Sequence, residues 1–226
     1  MKPRIDKRAV IISVEGQFNP AILHPAWFSR HNLIKPAEAD QAEIRVVHPE
    51  LTDFSTDWFR LYAQQNRFEL SSSQEAYFET LRDLAVGTFR LLSHTPVSSF
   101  TVADNYHFSY EDPRSSARVL HTLIPAAFQE GKALAKTVEK PFNLYTLRLT
   151  VPRSDGRLGE LLCAVEPSRV IANGLFVAVT NAVDISPSLV QAAPPDAGIV
   201  TEDLVNVWED SISLSNQLAL QVASLE

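Results

Sequence analysis

The strongest constraint on the fold is an alternation of polar and apolar residues through two neighbouring segments, 57–63 and 66–71. Successive side chains of a β-strand point to opposite faces, so the alternation predicts two strands with one buried and one solvent-exposed face. Only Gln64, Gln65 and Asn66 separate the segments. A connection this short joins antiparallel neighbours, because parallel strands need a crossover of a dozen or more residues. The chain must therefore contain antiparallel sheet.

Other segments carry their own strand and helix patterns. Strands are predicted at 9–18, 43–47, 97–110, 143–151, 160–165 and 175–183, and shorter helical pieces at 114–124 and 126–139. The strand at 97–110 is expected to bend at Asp104 and Asn105. Apolar residues three or four positions apart predict a long helix at 77–92. These elements favour the α+β class, with mostly antiparallel sheet packed against a long central helix and a C-terminal amphipathic helix.

The C-terminal region divides into a tether and a helix after an α+β body at 1–186. Residues 187–200 are rich in Pro and Ala and are predicted to be a linker, and 201–226 form an amphipathic helix for which Thr201 is a suitable N-cap. The apolar stripe of the helix is Leu204, Val207, Trp208, Ile212, Leu218, Val222 and Leu225. Such a stripe packs on its own domain or docks on a partner or a second copy, and the tether suggests docking.

Composition limits the partners and the compartment. The 226 residues carry a net charge of −7 without a basic cluster, so a nucleic-acid partner is not expected. No apolar run is long enough to cross a membrane or to serve as a signal sequence. The single cysteine, Cys163, lies in an apolar run and cannot form an intramolecular disulfide, which favours a reducing, cytoplasmic location.

Motifs for chemistry are weak. No phosphate-binding glycine loop, nucleophile elbow or metal-ligand spacing occurs, so neither a cofactor nor a metal is expected. One enzymatic alternative stays open around His107 and Glu111, which would share a strand face, with Asp104 nearby. Asp155, Glu160 and Glu166 would join this region if their strands were neighbours, giving a small-molecule or metal-dependent site.

Aromatic residues give a second candidate. Trp58, Arg60 and Tyr62 would lie together on the polar face of the predicted hairpin, and exposed aromatic residues beside arginine are typical of protein interfaces. The candidate interface residues are Trp58, Arg60, Tyr62, Leu204, Trp208, Ile212 and Leu218. The leading hypothesis is a non-catalytic protein-binding subunit of a homo-oligomer or a bacterial assembly. An acidic inhibitor that mimics nucleic acid is a more distant alternative.

Three segments, 16–20, 67–71 and 77–84, resemble the layout of a group of uncharacterised bacterial α+β proteins. The shared features are a first strand ending in Phe-x-Pro and a strand-to-helix step. The resemblance covers at most residues 9–110 and implies a bacterial or phage origin. It implies no catalytic residue.

Overall fold

One antiparallel sheet dominates the fold. A computed structural model describes residues 2–129, 132–138, 141–185 and 196–225. The strands are β1 (Arg4–Gly16), β2 (Glu43–His48), β3 (Leu51–Ser55), β4 (Arg60–Gln64), β5 (Arg67–Ser72), β6 (Val97–Ser109), β7 (Leu147–Pro152), β8 (Glu160–Pro167) and β9 (Leu175–Asp184). Within the described residues they form a nine-stranded sheet in the order β2-β3-β4-β5-β1-β6-β9-β8-β7. The predicted α+β class with antiparallel sheet is confirmed.

The helices predicted at 77–92, 114–124 and 126–139 are shorter in the structure, and the C-terminal helix begins earlier than predicted. The described helices are α1 (Pro25–Arg30), α2 (Pro36–Asp40), α3 (Phe78–Leu91), α4 (Ser115–Thr122), α5 (Ala133–Val138) and α6 (Ala197–Ala223), with 3-10 turns at Pro20–Ile22, Glu75–Tyr77 and Ala126–Phe128. The helix predicted at 77–92 is α3, but its 14 residues do not make it the long central element. The longest described helix is α6, with 27 residues.

Strand β6 does not bend where the sequence suggested. Its register with β1 shifts only between Ile5 and Lys7 and between Glu15 and Gly16, and its register with β9 is regular. The predicted bend at Asp104 and Asn105 is therefore wrong. Asp104 is accommodated inside a regularly paired strand because its carboxylate accepts hydrogen bonds from Arg8 and Tyr106.

Most of the large apolar side chains of the sheet lie on one face, here called the covered face. Val10, Ile12 and Val14 of β1 belong to a cluster that includes α3 and the first half of α6. Tyr106 and Phe108 of β6 belong to a second cluster that includes α4 and the end of α6. Burying this face against helices supplies the hydrophobic stabilisation of the domain.

The C-terminal helix closes the covered face of its own chain. Its buried residues are Ala197, Val200, Leu204, Val207, Trp208, Ser211, Ser215, Ala219 and Ala223. The last four follow one another at four-residue spacing, and small side chains let a helix approach a sheet closely. Asn181 of β9 donates to Ser215 Oγ at 3.2 Å, which satisfies polar groups at this contact. The helix packs on its own domain.

The start of α6 also differs from the prediction. Asp196 is the N-cap and accepts a hydrogen bond from the backbone N–H of Gly198 at 3.0 Å, so the helix begins before Thr201. The predicted linker, 187–200, lies outside the described residues up to 195, and its last residues form this cap and the first turn. Among the described helices, none is both long and apolar enough to span a membrane.

The packing of α6 predicts the effect of removing Trp208, which is 2% exposed. Trp208→Ala should lower the free energy of unfolding by about 3–5 kcal/mol, because it leaves a large cavity in the core. Urea denaturation monitored by circular dichroism measures this change. Val205→Ala, at a position 45% exposed on the same helix, is the control and should cost less than about 0.5 kcal/mol. Unchanged stability in Trp208→Ala would contradict the intramolecular packing.

Candidate protein-interaction site

Trp58 is not on the polar face of the hairpin. It precedes β4 and is 7% exposed, its indole Nε1 donates to Glu38 Oε1 at 2.9 Å, and its ring stacks on Tyr77 at 5.3 Å. The alternation that suggested a strand from 57 includes the connection between β3 and β4. Trp58 therefore contributes to the core and not to a surface shared with Arg60 and Tyr62.

Arg60 and Tyr62 lie on the sheet face opposite the covered face. Arg60 Nε and Nη2 donate to the two carboxylate oxygens of Asp53 at 2.9 and 2.7 Å, and Arg45 Nη1 donates to Asp53 Oδ1 at 3.0 Å. The Arg60 guanidinium carbon is 5.8 Å from the centre of the Tyr62 ring. The structure therefore brings Arg60 and Tyr62 together. The charge of Arg60 is already paired with that of Asp53.

The four candidate residues of α6 face inward. Leu204 and Trp208 are buried in the first cluster, Ile212 packs against it, and Leu218 packs against the second cluster. Because their apolar surface is used within the chain, they offer little surface for a partner. The docking interpretation of this helix loses its structural basis.

Among the described residues, no layer covers a different surface of the sheet. The term open face is used here for the side chains of four adjacent strands that point away from the helices. They are Ala9, Ile11 and Ser13 of β1, Thr101, Ala103 and Asn105 of β6, Phe176, Ala178, Thr180 and Ala182 of β9, and Leu162 and Ala164 of β8. None of these residues belongs to either hydrophobic cluster of the described chain. Ile11, Leu162 and Phe176 are therefore apolar, partly exposed and outside the core.

The open face is regular and carries no formal charge. The pairing registers place Ser71, Ile11, Ala103, Thr180, Leu162 and Thr150 in one row across the six strands from β5 to β7. Charged residues occur only around this area. They are Arg67 and Glu69 on β5, Lys7 and Glu166 at one end, Glu15, Glu160 and Asp184 at the other, and Arg148 on β7. An uncharged centre within a charged rim is the arrangement found in protein interfaces.

Sequence reasoning missed the open face for a specific reason. Each strand shows an alternation whose second set of residues is small or neutral, for example Ala103 and Asn105 on β6. That signal is visible only strand by strand. The strands that form the face are not consecutive, since β6 lies between β1 and β9, so the sequence alone does not assemble them.

The enzymatic alternative is not assembled into a cluster. His107 lies at the edge of the open face, where its Nδ1 is 3.0 Å from Ser168 Oγ and its ring is 4.8 Å from that of Phe176. Burial lowers the pKa of His107 from its ordinary value, and the charge of Lys7 acts in the same direction. Glu111 is exposed beyond the end of β6 and lines a depression of about 470 Å³ whose lining does not include His107.

Two of the other acidic candidates, Asp155 and Glu166, have partners of their own. Asp155 accepts from Arg153 Nη2 at 2.6 Å, and Glu166 accepts from Thr146 Oγ1 at 3.1 Å. Within the part of the chain that the structure describes, no three His, Cys, Asp or Glu side chains are grouped to hold a metal ion. Cys163 is partly buried against the second cluster, and burial raises the pKa of its thiol.

Asp104 belongs to a buried charged network on the covered face. Arg8 Nε and Nη2 donate to its carboxylate at 3.0 and 2.7 Å, and the Tyr106 hydroxyl donates to Asp104 Oδ2 at 2.6 Å. The Arg8 guanidinium lies 5.1 Å from the ring centres of both Phe78 and Tyr106. A fourth group, Glu75, accepts from Arg8 Nη1 at 3.1 Å.

The electrostatics of this network indicate a structural role. Burial raises the pKa of Asp104 from its ordinary value, and the hydrogen bonds from Arg8 and Tyr106 oppose that rise. Burial also raises the pKa of Tyr106, so the hydroxyl stays a donor. Asp104 is fully buried, and its two carboxylate oxygens accept hydrogen bonds from Arg8 and Tyr106, as expected for a buried polar group that stabilises the fold.

Comparisons with known proteins assign no family. The chain matches no protein-family model and no curated protein sequence.

Removing one member of the Arg8–Asp104 pair should lower the stability of the protein strongly. Asp104→Ala leaves the Arg8 guanidinium without its carboxylate in the core, and should lower the free energy of unfolding by about 3–5 kcal/mol. The double variant Arg8→Met with Asp104→Leu replaces the pair by apolar groups and should recover most of this loss. Urea denaturation of the three proteins measures both effects. A double variant less stable than Asp104→Ala would contradict the assignment.

The ion pairs of Asp53 should make the stability of the protein depend on pH in the acidic range. The hydrogen bonds from Arg60 hold the pKa of Asp53 below its ordinary value. A group with a lowered folded pKa stabilises the protein above the unfolded pKa of about 3.9, and this contribution is lost as the pH falls through the folded pKa. The free energy of unfolding, measured by urea denaturation from pH 6 to pH 2.5, should fall less steeply below pH 4 in Asp53→Asn. An identical decline in both proteins would be the contrary result.

Proposed function

We propose that this chain is a non-catalytic subunit that acts by binding protein, within a homo-oligomer or a bacterial multi-protein assembly. The observation that carries the proposal is the open face. It is a broad sheet surface that keeps apolar side chains partly exposed although the same chain has helices for its other face. Contiguous apolar surface that a chain leaves partly exposed supports an interaction site.

The composition of the face supports protein rather than a small ligand as partner. A small-molecule site is concave and holds a few convergent polar groups. The centre of the open face instead combines alanines with Thr101, Thr180 and Asn105 on neighbouring strands in unbroken register. A regular surface of this kind is suited to another flat surface, and hydroxyl and amide groups in it can form hydrogen bonds across an interface.

Arg60 and Tyr62 remain candidate interface residues in this proposal. They lie on the same side of the sheet as the open face, on β4, which is separated from β1 by β5 alone. Arginine paired with a carboxylate and lying beside tyrosine is a rim contact typical of protein interfaces. The four α6 residues have no role in binding in this proposal.

Purification of the tagged chain from cells of the organism that encodes it tests the proposal. The wild-type chain should carry a bound protein, whether an untagged second copy or another chain, and Ala103→Glu should lose it because the charge would be desolvated at the centre of the face. Ala117→Glu, the same substitution at an exposed position of α4, is the matched control and should keep the bound protein. The same bound proteins at the same level in all three samples would contradict the proposal.

A further inference from the structure

The open face has a shape and a charge pattern that select one kind of occupant. We infer that the open face of a second copy of this chain covers it, with a two-fold axis between the two sheets. The product is a two-layer sandwich with a layer of helices on each outer side. This inference rests on the proposed function and names the partner.

The geometry of the face suits packing against another sheet. The pairings of β6 with β9, β9 with β8 and β8 with β7 have no register shift, so the strands form a continuous surface. Facing sheets pack about 10 Å apart, with side chains from the two inner faces interdigitating. The large side chains needed for this are Ile11, Leu162 and Phe176, and the small ones that make room for them are Ala9, Ala103, Ala164, Ala178 and Ala182.

The charges around the face favour a copy over a strongly charged partner. On the β4 and β5 side, Arg60 and Arg45 are paired with Asp53, and Arg67 Nη2 is 2.9 Å from Glu69 Oε2. These rim charges are already neutralised by neighbours on the same face. A partner of high net charge would therefore gain little attraction from them. A second copy brings an uncharged centre of its own, so neither centre has to desolvate a formal charge. The net charge of −7 of the chain resides outside this centre.

The open face and its rim together approach the size that a stable dimer needs. The open face lies on four strands, and the flanking strands β5 and β7 carry part of its charged rim. These six strands are about 4.8 Å apart and extend over about eight residues of about 3.3 Å each, which gives roughly 700 Å² for the open face and this rim together. Standard interfaces bury about 800 Å² on each partner. A dimer of this kind therefore needs contacts between the rims as well as between the two open faces.

Two-fold symmetry gives the dimer a signature that no other partner shares. Residues near the centre of an isologous interface approach their own equivalents. Ala103 and Thr180 are cross-strand neighbours on the two central strands of the open face, β6 and β9. A charge placed at 103 would therefore lie near the same charge in the partner, and opposite charges at 103 in two different chains would attract.

Sedimentation equilibrium on the purified full-length chain tests this signature. The wild type should reach twice the mass of one 25.1 kDa chain as concentration rises. Ala103→Glu and Ala103→Arg should each raise the dimer dissociation constant by at least about a hundredfold, because like charges would face each other in a desolvated centre. An equimolar mixture of the two variants should form the dimer again. Ala117→Glu should behave as wild type, and circular dichroism of every variant verifies folding.

The outcomes separate this inference from the proposed function. A wild type that stays monomeric up to 200 µM would overturn the second-copy inference, as would a mixture of the two charged variants no more dimeric than either alone. If the monomeric chain nevertheless carries a different protein from its own cells, and Ala103→Glu loses that protein, the proposed function stands with another partner. Dimerisation of the wild type with recovery in the mixture supports both.

Discussion

The bidentate interaction between Arg8 and Asp104 is the contact on which the rest of the arrangement depends. It joins β1 and β6, two 13-residue strands that lie next to each other in the middle of the sheet, on the covered face. Val10 pairs with Asp104 and Arg8 with Tyr106 in the register. A slip of one residue would move one member of the pair to the opposite face and leave a charge buried without its partner. The pair therefore fixes which side chains of both strands face the helices.

That choice of register determines the character of both faces. With Val10, Ile12 and Val102 directed to the helices, the alternate residues Ala9, Ile11 and Ala103 are directed away from them. Most of the covered face is then closed by α3, α4 and α6 of the same chain. The apolar side of the C-terminal helix packs in this layer, so the proposed interaction is placed on the open face and not on the tail. The alternation of side chains between the covered face and the open face therefore underlies both the fold and the proposed function.

The sequence predicted most of the local elements but not their assembly. Alternation and short turns predicted antiparallel strands, and helical spacing predicted α3 and the C-terminal helix. The short strand β3, Leu51–Ser55, was missed because polar residues and a buried Asp53 interrupt its apolar pattern. The inward face of α6 was only partly predicted, since Ser211 and Ser215 appear polar in sequence but are buried against Asn181.

The candidate site was predicted less well than the fold, for a physical reason. Arg60 and Tyr62 lie at the correct face because period-2 alternation holds within a single strand. Trp58 was misplaced because the alternation continues by chance through a turn. The open face depends on β1, β6, β9 and β8 being neighbours, and long-range pairing is not encoded in any local pattern.

Hydroxyl-radical footprinting of the wild-type chain across a range of concentrations tests most directly whether a second copy covers the open face. The account predicts that Ile11, Leu162 and Phe176 become protected together as the dimer forms. Tyr145, which is 74% exposed and lies outside the open face, should keep its reactivity. Dimer formation with unchanged oxidation of these three open-face residues would contradict the account, as would constant reactivity of every residue at all concentrations.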